Sequence, residues 1–208
     1  MINRETLQNQ LQLNKFKIVS RETILKIQEF IEILFFYNKT INLVSKTISE
    51  EILLSHIFNS IELAEILKED HVESGKVSDL GSGNGFPGVI LAICNFIPSL
   101  IELDERKAIF LEEVKRNLKL DLNIINADIQ NPKIEIKENI TIKALASVCK
   151  CLTLIEKKIS EKNTIYMLKG KKINEEINEA LKNFKFQYNI INKNYTQVLK
   201  IYNVSKIF

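Results

Sequence analysis

Tryptophan is absent from this chain of 208 residues, and methionine, histidine, cysteine, proline and glycine are scarce, at two, two, three, three and six copies. Each shortage excludes something. Three cysteines, Cys94, Cys149 and Cys151, cannot build a disulfide framework, and each lies in an apolar segment where a reduced thiol packs as a small hydrophobe. Cys149-x-Cys151 has neither a second pair nor a nearby histidine to complete a tetrahedral ligand set, so no metal site is expected. No apolar run reaches the roughly 20 residues needed to span a bilayer. The start, Met1-Ile2-Asn3-Arg4-Glu5, lacks the apolar core of a signal peptide, so a cytoplasmic protein with no membrane association is expected.

What is present suits a globular protein. Hydrophobic residues make up 45% and charged residues 26%, enough for one sizeable α/β unit with residues left over for an extension. The formal net charge of +3 is modest but unevenly spread. No acidic residue follows Glu179, whereas Lys182, Lys185, Lys193, Lys200 and Lys206 do. A second basic stretch includes Lys143, Lys150, Lys157, Lys158, Lys162, Lys169, Lys171 and Lys172, and a third Arg4, Lys15, Lys17, Arg21 and Lys26. Two readings stand side by side: a phosphate-binding face, or a solvated lysine surface in a chain rich in Ile, Lys and Asn.

The scarcity of glycine makes its clustering informative. Four of the six glycines fall in Val77-Ser78-Asp79-Leu80-Gly81-Ser82-Gly83-Asn84-Gly85-Phe86-Pro87-Gly88, a short apolar strand that runs into a turn and then an apolar helix. Glycine tolerates positive φ and lets backbone approach a ligand, and Pro87 suits the first turn of a helix. Asp79 precedes the first glycine by two residues. An acid there suits the amino-acid end and sulfonium of S-adenosylmethionine better than the pyrophosphate of a dinucleotide. Gly83, Gly85 and Gly88 also spell G-x-G-x-x-G, so a dehydrogenase remains a second reading, and a turn that binds nothing a third. Glu102 ends the next apolar run about 20 residues on, where a carboxylate can accept from both ribose hydroxyls. Asp104 beside it reads as a helix N-cap, and Asp128 lies where such folds contact adenine.

Residues 1–70 show helical periodicity, with Ile24, Ile27, Phe30, Ile31 and Leu34 spaced at three and four, and Thr47-Ile48-Ser49-Glu50 reads as a capping box opening a second helix. From 71 to 208, short apolar strands alternate with amphipathic helices. Strands are predicted near 76–81, 98–103, 122–126, 141–146 and 163–168, and helices near 87–95, 105–119, 149–160 and 172–183. Phe184–Ile191 and Thr196–Val204 should close as an antiparallel hairpin around Asn192-Lys193-Asn194. The fold class expected is α/β: a Rossmann-like seven-stranded class I methyltransferase sheet with a helical N-terminal extension, in one compact unit. A dehydrogenase would more often continue into a second, substrate-binding domain, for which no residues remain.

Together these segments resemble one bacterial family, RsmG, also called GidB, which methylates N7 of a guanosine in 16S ribosomal RNA. The likeness is carried by Asn42-Leu43, His56-Ile57-Phe58-Asn59-Ser60, the run from Asp79 to Gly88 with its Gly-Phe-Pro-Gly ending, Arg106-Lys107-Ala108-Ile109-Phe110-Leu111, and Lys169-Gly170. It implies S-adenosyl-L-methionine as cofactor and 16S RNA or the small ribosomal subunit as partner of a monomeric enzyme. By position it implies that Gly81 and Phe86 contact the cofactor, that Ile129 and Gln130 flank the adenine, that Glu102 lies at the ribose, and that Lys143 stands where the family has an arginine. Asp79 and Gly83 complete the expected cofactor set. Lys169, Arg106 and Lys107 are the expected RNA contacts, and His56 is read as a packing residue. The chain departs from the family at Asp128-Ile129-Gln130, at Ile142-Lys143-Ala144 and at Asn59, which replaces an acid. Guanine N7 carries a free lone pair, so alignment is expected to suffice and no catalytic base is assigned. Two other readings remain: a methyltransferase acting on a small molecule or protein, and a non-catalytic RNA-binding factor.

Overall fold

Four buried residues, Val77–Leu80, form β1 at the centre of the molecule. The computed structural model describes residues 4–14 and 16–207, so Lys15 of the basic N-terminal stretch lies outside the described residues. Three helices come first: α1 (Arg4–Leu13), α2 (Arg21–Tyr37) and α3 (Glu50–Glu69). Then β1, α4 (Gly88–Ile93), β2 (Ser99–Glu102), α5 (Glu105–Leu118), β3 (Asn123–Asn126), β4 (Asn139–Lys143), α6 (Val148–Ile155), β5 (Thr164–Lys169) and α7 (Ile173–Ala180) alternate, and β6 (Phe184–Asn192) and β7 (Gln197–Lys206) close the chain.

The described strands form one seven-stranded sheet in the order β3-β2-β1-β4-β5-β7-β6. The first five run parallel, and β7 inserts antiparallel between β5 and β6. Strand order reverses between β1 and β4, which opens a crevice above their carboxyl ends. Side chains alternate faces: Tyr166 and Leu168 enter the core beneath α1 to α5, while Ile165 and Met167 enter the core beneath α6 and α7. The first core joins the N-terminal helices to the sheet, since Leu7, Ile27 and Ile57 share it with Leu100 and Phe110. None of the described helices is long and apolar enough to cross a membrane.

Four local expectations change. The N-cap of α3 is Ser49, whose hydroxyl accepts from the Ile52 amide; Thr47 instead hydrogen-bonds Ser45. An unexpected capping box opens α2, where Ser20 and Thr23 satisfy each other's backbone amides, with threonine in the place usually held by Glu or Gln. The fourth strand covers 139–143 rather than 141–146, because Ala144 takes a left-handed φ of +54° and turns the chain out of the sheet. The helices predicted at 87–95, 149–160 and 172–183 are trimmed at their carboxyl ends to 93, 155 and 180.

Candidate functional site

The crevice at the strand ends divides into two adjoining pockets. The smaller, about 370 Å³, is lined by Gly81 and Gly83 from the turn after β1, by Glu102 and Leu103 at the end of β2, by Lys107, Asp128 and Ile129, and by Ala144, Leu145 and Leu154. The larger, about 710 Å³, lies between α3 and the ends of β4 and β5, and Ala144 lines both.

In the smaller pocket, Glu102 is 7% exposed, and its carboxylate accepts from the Gly83 amide at 2.7 Å through Oε2 and from the Asp104 amide at 2.8 Å through Oε1. Both oxygens are thereby fixed in direction, each with a lone pair left for a ligand hydroxyl. Apolar Leu103, Ile129 and Leu145 wall the rest, and Asp128 folds into a turn by accepting from the Gln130 amide. Gly81 must lack a side chain: its φ is +67°, and a Cβ there would lie 2.7 Å from Leu145 Cδ1. A flat base between apolar walls, with a diol at Glu102, fits this cleft. Asp104 does cap α5, accepting from the Arg106 and Lys107 amides.

Asp79 is not among the lining residues. It is 1% exposed beneath the glycine turn, where the register that pairs Asp79 with Thr141 brings the Thr141 hydroxyl to 2.8 Å from Oδ1. Oδ2 has no hydrogen-bond partner and lies where a side chain at Gly88 would be 2.7 Å away. Burial pushes this carboxyl up to about 6, against the downward pull of the Thr141 and Ser82 hydroxyls. Between about pH 4 and 6 the folded protein therefore keeps a proton that the unfolded chain has lost, so stability falls as pH rises through that window. Asp79→Asn should abolish this slope and raise stability at pH 8 by roughly 2 kcal/mol, as urea melts at pH 4.5 and 8 would show. Equal gains at both pH values would contradict this account.

Two residues beyond Thr141 on the same strand face, Lys143 reaches the floor of the larger pocket. Its ammonium sits 5.1 Å from the centre of the Phe86 ring, which is packed on its other sides by Phe30 at 5.1 Å and His56 at 5.7 Å. The N-terminal helices thus clamp the glycine turn through Phe86, whose ring is buried behind the pockets rather than lining them. Burial lowers Lys143 to about 8, offset by the attraction of Asp79. Burial and the Lys143 charge lower His56 to about 4, leaving it a neutral imidazole at physiological pH. His56 packs on Phe86, as expected, and being half-buried it also lines the larger pocket.

The other expected positions divide. Gln130 is exposed and does not line the smaller pocket, although Ile129 does. Lys107 lines that pocket, whereas Arg106 is exposed outside it, paired with Asp104 at 3.4 Å. Lys169 lines the larger pocket but is only 10% exposed; its ammonium donates to the Ala146 carbonyl and to Glu176, each at 2.8 Å. Glu176 also accepts from the Val148 amide, so this pair fastens the loop between β4 and α6. Of the C-terminal lysines, Lys182, Lys193, Lys200 and Lys206 pair with Glu179, Glu69, Asp70 and Glu156. Sequence reasoning passed over Leu103, Leu145, Leu154 and Tyr195, because apolar and aromatic residues carry no local sign that they will face a cleft.

Comparison with known proteins identifies the family and the fold. The family model described as rRNA small subunit methyltransferase G matches residues 23–201. A protein of Orientia tsutsugamushi named ribosomal RNA small subunit methyltransferase G is 42% identical over 175 residues, covering 83% of this chain and 85% of that one. Its namesake from Rickettsia bellii is 35% identical over 194 residues, covering 91% and 98%. Among solved structures, the magnesium protoporphyrin IX methyltransferase of Synechocystis, with S-adenosylmethionine bound, shares the fold with a TM-score of 0.59 at 10% identity, over 84% of this chain and 97% of that one. The glycine turn, the carboxylate that closes β2 and the helices clamped on Phe86 are thus those of a chain that belongs to the GidB family.

Proposed function

We propose that this protein uses S-adenosyl-L-methionine to methylate N7 of a guanosine in the 16S RNA of the small ribosomal subunit. The observation that carries the reading is the glycine-lined cleft at the end of β1, adjoining a larger cavity that has room for a second molecule and shares Ala144 with it. Family membership and the names of the relatives support the substrate class.

When bound, the cofactor supplies an electrophilic methyl group on a sulfonium. The chain's part is positioning. Glu102 would hold the ribose, Leu103, Ile129 and Leu145 would enclose the adenine, and Lys143, which lines the adjoining cavity, would offer its ammonium to the carboxylate of the amino-acid end. Asp79 acts from beneath the turn as the counter-charge to Lys143. Guanine N7 needs no deprotonation; the carboxylate that lines the larger cavity, Glu176, is engaged by the Lys169 ammonium and the Val148 amide, which accords with rate enhancement by alignment rather than by a base.

Incubation with labelled cofactor and small subunits or naked 16S RNA, followed by borohydride reduction and aniline cleavage, tests the position. Cleavage at one guanosine is expected; labelled RNA that resists aniline would refute N7, and label only in metabolites or protein would refute the RNA substrate.

Lys143 adds a pH signature. With a pKa of about 8 it loses its charge as pH rises above that value, so cofactor affinity should fall by up to tenfold per further pH unit. The ligand's α-amino group titrates in the same range, which makes Lys143→Arg the informative control. Arginine keeps its charge, and its profile should be flatter above pH 8 in calorimetric titrations. Superimposable profiles would remove Lys143 from the carboxylate.

A further inference from the structure

The turn between β6 and β7 carries an exposed aromatic ring to the rim of the larger cavity. Tyr195 is 40% exposed, and it lines both that cavity and a neighbouring groove of about 490 Å³ that also includes Gln10, Glu50, Glu51, Leu54 and Phe58. A tyrosine so exposed on a hairpin turn would ordinarily be mobile. This one is held at three points. Its ring packs 4.7 Å from Phe58 and 6.2 Å from Phe16. Its hydroxyl hydrogen-bonds Asn14 of the segment after α1. Its backbone amide donates to both oxygens of Glu62, at 3.2 and 3.0 Å, and Glu62 is a carboxylate of α3 that is only 2% exposed.

Burying that carboxylate is costly unless it is hydrogen-bonded, and here its partners lie in the turn rather than in its own helix. The arrangement fixes a flat, partly open π surface at the mouth of the cavity before any ligand arrives. Preorganised aromatic faces of this kind stack unpaired bases, with little regard to base identity.

We infer that Tyr195 is a stacking platform for the nucleotide next to the methylated guanosine, holding the RNA strand at the cavity mouth while the target base occupies the cavity. This rests on the proposed RNA substrate. A base must leave its stack to enter a pocket, and a ring at the rim compensates its neighbour for the stacking partner it loses. The groove beyond Tyr195 leaves room for that neighbour's base, while the Glu50 and Glu51 carboxylates that line it would keep the phosphates on the side of the larger cavity. Tyr195 is a positioning residue and takes no part in methyl transfer.

The test compares Tyr195→Phe, Tyr195→Leu and Tyr195→Ala in the full chain, reading KM for small-subunit RNA, kcat, cofactor affinity and melting temperature. Phenylalanine keeps the π face and should leave KM within about twofold. Leucine keeps apolar packing on Phe58 but has no π face; it should raise KM for RNA about 10- to 100-fold, with cofactor affinity unchanged and kcat near wild type at saturating RNA. An RNA fragment carrying 2-aminopurine on either side of the target should show quenching by wild type on one side, and lose it with leucine. Alanine should match leucine in KM, and a lower melting temperature for alanine alone reports packing. A leucine variant with wild-type KM and wild-type quenching overturns the platform. Absence of methyl transfer to RNA by the wild type would instead overturn the proposed function, so the two failures are separable.

Discussion

Glu102→Ala is expected to weaken cofactor binding about 100-fold. Both carboxylate oxygens are already oriented by the Gly83 and Asp104 amides, so a ribose bound in the proposed way would meet the side chain with no rearrangement left to make. Hydrogen bonds to a charged acceptor are each worth about 1.5 kcal/mol or more, and losing two removes about 3 kcal/mol, or two orders of magnitude in Kd. Loss of the acceptor also frees the Gly83 amide at the tip of the turn, which adds to the effect. Glu102→Gln keeps one acceptor oxygen and should lie between, near tenfold. Calorimetry with S-adenosylmethionine and its demethylated product measures both variants. A change under threefold for alanine would mean that the ribose is held elsewhere.

Gly85→Ala should have the largest effect on stability, a loss of about 3 to 5 kcal/mol. Two penalties combine. The φ of Gly85 is +89°, a region that an L side chain enters only under strain. The added Cβ would also lie 2.8 Å from Val89 Cγ2 and 3.1 Å from the Phe30 ring, in a core with no slack. Phe30 cannot yield freely, because its other side supports Phe86. The midpoint of urea unfolding should therefore fall with its slope unchanged, and cofactor binding should be lost with the displaced turn. Gly75→Ala is the matching control: nothing lies within 4 Å of its Cβ position, so it should be neutral or stabilise by up to about 1 kcal/mol. Equal behaviour of the two variants would refute the packing account.

The features that could be read from the chain are those written in neighbouring residues. Glycine density at 81 to 88, the alternation of short apolar runs with helical periods, and the Asp104 cap are local signals, and the structure realises each close to its expected place. Glu102 was legible because its separation from the turn is set by one helix and one strand. Local rules failed where two neighbouring residues offered the same signal, where the chain changes direction, and where a distant partner decides. Ser49 rather than Thr47 caps α3, and β4 ends at Ala144 because the chain there turns into the crevice. The acid-free C-terminal tail reads as a basic patch, yet Glu69, Asp70 and Glu156 reach it from earlier in the chain.

The sequence by itself determined the sheet's strand and helix alternation, the glycine turn and the carboxylate that ends β2, because backbone conformation and periodicity are properties of adjacent residues. Only the tertiary structure decided that Asp79 would be buried under the turn, that Lys169 would be tied to Glu176, and that Phe30, His56 and Lys143 would meet around Phe86. Charge and burial depend on what arrives from elsewhere in the chain, and those neighbours exist only once it has folded.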